Sequence, residues 1–196
     1  PPSRRCQAQA LSSILPTADR QAAGQTGTAA ADAAARAAEE EVLRGIAEQL
    51  SARAGESMVS DAVQRHIVTR VTDEGLIVEV FDLEREPLFQ PQTDTPAPIL
   101  SDIARVIVEV FGLVDNGVAV DGHIRAQAEV LRVNPAWDLS AARAMQLRLL
   151  LEGEGLDAKR VQRVTGHADR APAVKNPMAV RNNRMEIVLL RSVRGG

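Results

Sequence analysis

The stretch AVQRHIVTRVTDEGLIVEVF, residues 62–81, decides the reading of the fold. Val63, Ile67 and Val71 lead into Asp73-Glu74-Gly75, and the run Leu76 to Phe81 is rich in Val and Ile. Two β-favouring runs joined by a short acidic turn ending in glycine predict a β-hairpin, with strands over 62–71 and 76–81. Downstream, Pro87, Pro91, Pro96 and Pro98 break the chain, after which Ile99, Ile103, Val106, Ile107 and Val110 recur at helical spacing and predict a helix over 98–111. Val118 to Val120 reads as a short buried strand ending at Gly122 and His123. Asp138-Leu139-Ser140 opens a second helix, with Leu139, Ala142, Met145, Leu149 and Leu150 as its apolar face and Gly153 and Gly155 as its stop. Val161 to Gly166 is a further strand, and after Pro172 and Pro177 the run Met185 to Leu190 is the last. The order hairpin, helix, strand, helix, strand, strand predicts an α/β (α+β) sandwich with helices packed on one face of a mixed sheet.

Upstream of the hairpin, residues 1–30 are rich in Ala, Gln, Ser, Thr and Gly without a sustained apolar period, and read as a flexible linker. Residues 31–58 turn to Ala, Glu, Arg and Leu, with Leu43, Ile46 and Leu50 at helical spacing. That apolar stripe is one heptad long, too short for a coiled coil, and predicts a helix docked on the domain or on a symmetry mate. The expected organisation is linker over 1–30, helix over 31–58 and domain over 59–196. A stripe that a small domain leaves partly uncovered predicts a homodimer.

The 196 residues are 45% hydrophobic and 25% charged, the composition of a globular chain. With no Tyr, one Trp and three Phe, platforms for stacking bases are nearly excluded, and nucleic acid is not an expected partner. Cys6 is the only cysteine, so neither an intrachain disulfide nor a cysteine-based metal cluster can form. No run approaches the ~18 apolar residues of a membrane-spanning helix. Residues 159–196 hold nine Lys or Arg against Asp169 and Glu186, a charge of +7 that leaves −10 on the remainder of a chain whose net charge is −3. A basic end on an acidic body is suited to carboxylates or phosphates, although most such runs are solvated faces.

The histidines are His66, His123 and His167. His123 and His167 each follow a glycine at a strand end, so the two imidazoles with Asp169 form a conceivable zinc site; the plainer reading is that both strands end in the same tight turn. Neither HExxH, CxxC, GxSxG nor a Walker-type glycine loop is present, so catalysis has no support and no cofactor is expected.

The runs Gly75-Leu76-Ile77-Val78-Glu79-Val80-Phe81-Asp82, Pro87-Leu88-Phe89, Val120-Asp121-Gly122-His123, Asn134-Pro135-Ala136-Trp137-Asp138-Leu139-Ser140-Ala141-Ala142-Arg143-Ala144 and Asn182-Asn183-Arg184-Met185-Glu186-Ile187 occur in one order. Together they resemble the OmpA-like peptidoglycan-binding domains, and in particular the periplasmic half of the MotB-type flagellar stator proteins. The match runs from about Val63 to Arg191, and the Trp-Asp-Leu-Ser-x-x-Arg-Ala stretch favours the MotB type over OmpA or Pal relatives. The resemblance implies a non-catalytic cell-wall anchor that takes the diaminopimelate of the stem peptide, with Arg143 as the guanidinium for its carboxylate. Gly122, His123, Arg125, Asp169 and Arg184 complete the implied site. It also implies a periplasmic location in a single-pass inner-membrane protein, a MotA channel partner reached through a membrane helix, a homodimer, and the flagellar P-ring as a further partner.

One departure stands out. Relatives read Gly-His-Thr-Asp at the strand end, the Asp receiving the ligand ammonium, whereas this chain reads Gly122-His123-Ile124-Arg125. A cation replaces the carboxylate, and Gly166-His167-Ala168-Asp169 carries the missing pattern at the next strand end. Asn183, where relatives often have arginine, is a smaller departure. Arg143 itself is expected on the polar face of its helix, where its loss would expose no core.

Overall fold

The computed structural model describes residues 18–53, 58–127 and 134–192. Residues 1–17 of the expected linker, and 54–57 at the end of the expected helix, lie outside the described residues. Pro1–Ala38 forms one unit, described from Ala18 as helix, and Glu39–Gly196 forms a second. In chain order the elements are α1 (Ala18–Arg53), α2 (Met58–Arg65), β1 (Ile67–Val71), β2 (Gly75–Phe81), α3 (Pro98–Phe111), β3 (Val118–His123), α4 (Ala136–Gly153), β4 (Val161–Gly166) and β5 (Arg184–Leu190).

Two sequence expectations change. α1 begins at Ala18, inside the stretch read as linker, because an alanine-rich segment has high intrinsic helix propensity without any apolar periodicity to announce it. Val63 lies in α2 and not in the first strand; the helix closes with His66 N–H donating to Val63 O at 3.1 Å, and the strand starts at Ile67.

The strands form one sheet in the order β1-β2-β5-β3-β4, antiparallel except for β3 beside β4. This is the mixed sheet that the sequence predicts. Leu76, Val78 and Val80 of β2, Met185, Ile187 and Leu189 of β5, and Val118 and Val120 of β3 face α3 and α4. From α3, Leu100, Ile103, Ile107 and Phe111 fill that layer, and from α4, Ala144, Leu147 and Leu151. Burial of each large side chain contributes about 1.5 to 3 kcal/mol. Leu43, Ile46 and Leu50 of α1 belong to this same core, with exposures of 1%, 5% and 0%. The stripe expected to attract a second copy is therefore spent inside the chain, and the case for a homodimer drawn from it falls away.

Gly75 sits at φ +150°, and a Cβ there would lie 2.0 Å from Leu189 O. Only glycine lets the β1–β2 turn bring β2 this close to β5.

Candidate functional site

The end of β3 is built around Gly122. A Cβ on this residue would lie 2.3 Å from the backbone oxygen of Ser140 and 3.2 Å from the Ala144 Cβ. Gly166, at the end of the parallel strand β4, is equally close to α4: a Cβ there would lie 2.6 Å from Ala141 N and from Ser140 Oγ. The two glycines form a seat in which the first turns of α4 rest, which is the physical reason for the repeated Gly-His pairs. Gly122→Ala is expected to lift α4 from the sheet and cost about 1 to 3 kcal/mol, the usual range for overpacking, read as a fall in the urea midpoint at unchanged slope.

Ser140 locks the seat. Its buried hydroxyl donates to Trp137 O at 2.9 Å and accepts the Ala168 N–H at 3.0 Å. Ala168 has φ +50°, and its carbonyl accepts the Ile124 N–H at 2.8 Å. The segments Gly122–Arg125 and Gly166–Asp169 thus lie side by side, and the second strand end brings Asp169 to the rim that carries Arg125. Asp169 pairs with Arg170 at 3.5 Å.

Arg143 follows Ser140 by three residues on the same side of α4, but it is only 6% exposed, contrary to the expectation of a polar helix face. Its Nε–H donates to Thr93 O at 2.9 Å and its Nη2 to Gln90 O at 3.4 Å, and the guanidinium stands 4.9 Å from the centre of the Phe89 ring. Burial lowers its pKa, while the charges of Asp82 and Asp94 oppose that change. Asp82 is the buried counter-charge. It accepts the Leu88 N–H at 2.8 Å and the Asn183 Nδ2–H at 2.9 Å; burial raises its pKa, and these two hydrogen bonds work against the rise. The Asn183 carbonyl in turn accepts the Arg125 backbone N–H at 2.8 Å. An asparagine where relatives often have arginine therefore bridges the Asp82 carboxylate to the rim. Sequence reading gave Asp82 no role, because its partner Asn183 lies 101 residues away; the signal available was an acidic residue closing an apolar strand.

His123 and Arg184 lie on the other face of the sheet, since alternate residues of a strand point to opposite sides. They are cross-strand neighbours there, together with Glu186, Asp121 and Glu79. Arg184, 6% exposed, donates from Nε to Glu186 at 2.9 Å and approaches Glu79 at 3.5 Å. The six residues expected to form one site are thus divided: Gly122, Arg125, Arg143 and Asp169 surround the α4 seat and its rim, and His123 and Arg184 do not join them.

His123 and His167 do come together, stacked with ring centres 4.6 Å apart and planes 6° from parallel. Parallel stacked rings direct their nitrogen lone pairs along separate planes, so they cannot converge on one ion. The carboxylate at His167 is Asp121, 3.3 Å from Nε2 and also paired with Arg163, and not the Asp169 of the zinc reading. Both ring nitrogens of His123 are buried without a hydrogen-bond partner among the described residues, the nearest carboxylate being Glu186 at 3.7 Å from Nε2. Burial, reinforced by the charges of Arg184 and His167, lowers its pKa to about 3.

The basic C-terminal segment is also changed by its contacts. Arg163 meets Glu74 and Asp121, Arg181 meets Glu79, Arg184 meets Glu186, and Arg191 meets Glu39, so these cations are neutralised locally. Arg170 meets Asp169, Arg160 donates to the carbonyls of Asn116 and Phe111, and Lys159 and Lys175 are the exposed remainder among the described residues.

These features define an α+β domain, a five-stranded mixed sheet with its helices on one face. No family model matches the chain. It is similar to Motility protein B of Escherichia coli K12, at 32% identity over 121 residues covering 57% of this chain and 39% of that protein. The periplasmic domain of Helicobacter pylori MotB shares the fold at a TM-score of 0.53, with 19% identity over 65% of this chain and 83% of that one. So does the cell wall anchor of the T6SS from Pseudomonas aeruginosa, at a TM-score of 0.54 and 23% identity, covering 69% and 94%. The resemblance to the MotB type read from the sequence stands on these matches. The chain spans between 39% and 61% of the length of the curated relatives it matches.

Proposed function

We propose that this chain is the wall-binding part of a MotB-type stator protein, a non-catalytic anchor that holds an ion-driven torque unit against peptidoglycan. The observation that supports this reading is the α4 seat: Gly122, Ser140 and Arg143, matched residue by residue to the family motif, adjoin one another beside the Gln90–Thr93 carbonyls. A stem-peptide carboxylate suits the planar guanidinium of Arg143, whose Nε and Nη2 donors are held at fixed angles by those carbonyls. In the same proposal the residues ahead of α1 are a linker remnant, α1 is the helix that positions the domain over 59–196, and the protein is periplasmic and held by a single inner-membrane helix. No described helix is long and apolar enough to cross a membrane. A MotA channel partner, the P-ring and a second copy enter through the resemblance alone, now that Leu43, Ile46 and Leu50 are accounted for inside the core. A second reading, an envelope tether unconnected with motility, draws on the likeness to the T6SS cell wall anchor.

The rim supplies the test. With Arg125 where relatives hold the ligand ammonium, sacculus binding should be weak, and Arg125→Asp should strengthen it and reduce its salt dependence. Should Asp169 have assumed the role from the adjoining strand end, Asp169→Asn removes binding and Arg125→Asp adds little. A pull-down on isolated sacculi at two salt concentrations separates the cases. Indifference to both changes overturns the rim as the ligand site.

A further inference from the structure

On the face of the sheet away from α3 and α4 lies a cavity of about 300 Å³, lined by Arg70, Arg181 and Arg184 over Glu79 and Glu186, with Ala171–Val174 as its wall. The wall is held in place by Asn182, whose buried side-chain oxygen accepts the N–H groups of Ala173 and Val174 at 2.8 and 3.2 Å. Most of the charge is matched: Arg181 pairs with Glu79 and covers the Phe81 ring at 3.5 Å, and Arg70 meets Glu186 at 3.4 Å. Arg184 is matched in charge by Glu186 and Glu79 but not in hydrogen bonds. Its Nε is used by Glu186, but its Nη1, wholly buried, has no acceptor among the described residues. A buried charged donor without an acceptor is unfavourable, and a turn of the Arg184 guanidinium, which lines the cavity, would present it to an oxyanion there.

We infer that this cavity is a binding site for a small aliphatic monocarboxylate, its carboxylate on the Arg184 guanidinium and its apolar body against Ala171–Val174. The fork geometry of a guanidinium suits a carboxylate or a phosphate equally. Glu79 and Glu186 decide between them, because a doubly charged phosphate meets two fixed carboxylates at close range whereas a single negative charge balances three cations against two anions. The size of the cavity is at the lower end for ligand sites, which restricts the body to a few carbon atoms. Ala171, Pro172, Ala173 and Val174 offer it small apolar side chains. The site lies on the opposite face from Arg143 and does not depend on the anchoring proposal.

The test is a titration of the 196-residue chain with sodium isobutyrate, followed by amide shifts of Ala171, Ala173, Val174 and Glu186 at ionic strength held constant with sodium chloride. Saturable shifts are expected, at least tenfold weaker with neutral isobutyramide and with inorganic phosphate. Arg184→Gln should weaken binding at least tenfold. Val174→Glu should do the same by placing a carboxylate in the wall at an exposed position, and it decides the matter if Arg184→Gln fails to fold. N-acetyl-alaninate distinguishes sources: tighter binding than isobutyrate assigns the carboxylate to a peptide end, weaker binding to a free acid, and either upholds the site. Equal binding of isobutyramide, tighter binding of phosphate, the same shifts from chloride alone, or indifference to Val174→Glu overturns it.

Discussion

Replacing Arg143 with alanine should weaken sacculus binding roughly 10- to 150-fold and also cost the fold about 1.5 to 3 kcal/mol. The binding loss follows from removing the one guanidinium that the family motif places beside the Gly122 strand end. The stability loss follows from burial: without Arg143 the carbonyls of Thr93 and Gln90 lose their donors, and Asp82 loses the positive charge that opposes its desolvation. Arg143→Lys keeps the charge but not the fork, so it should recover part of the stability and little of the binding. Urea unfolding and a sacculus pull-down on the same preparations give both numbers. Full binding by a folded alanine variant removes Arg143 from the site, and unchanged stability refutes the role of the two carbonyl contacts.

The second large effect is acid destabilisation through His123. Its folded-state pKa of about 3 lies below the ordinary histidine value of 6.5, so between these values the unfolded chain binds a proton that the folded chain refuses. Stability is therefore unaffected by this residue above pH 6.5, falls as the pH drops from 6.5 toward 3, and levels off below. At about 1.4 kcal/mol per pH unit the full loss is on the order of 5 kcal/mol. Asp82 acts in the opposite sense, since its raised pKa makes the folded chain the better proton acceptor at low pH. His123→Phe retains a flat ring against His167 and cannot be protonated, so it should flatten the decline. Denaturant unfolding at pH 7 and pH 4 measures it, and an equal decline in both proteins would show that another group drives the acid response.

Elements defined by apolar period were legible in the sequence, except for the face of α4. Met145 and Leu149, read as its apolar side, are exposed, and Ser140, Arg143, Ala144, Leu147 and Leu151 are buried instead, because the Gly122–Gly166 seat turns the Ser140 side of the helix toward the sheet. The helix over 98–111 and the strand over 161–166 coincide with α3 and β4, because Ile103, Ile107 and Val110, or Val161 and Val164, carry both the pattern and the burial. α1 was only half legible: its residues before Ala31 have propensity but no period. The site was legible as motifs and illegible as geometry. Gly122, Ser140 and Arg143 could be read as a set, but that Arg143 is buried depends on a loop fifty residues earlier, at Thr93. That His123 faces away from Gly122 follows from strand alternation. That Arg184 is nearly sealed depends on a loop that no local signal directs over the sheet.

The sheet is open, with β1 and β4 at its two ends, and each of these carries an arginine near its middle, Arg70 and Arg163. Both reach inward across the sheet, to Glu186 and to Asp121. A strand added at either end would have to pass these side chains and their hydration, and charged edge residues of this kind discourage backbone pairing between molecules. Growth of the sheet from copy to copy is thereby disfavoured at both borders. Contact between neighbouring copies is left to side-chain surfaces, which separate far more readily than a shared ladder of backbone hydrogen bonds.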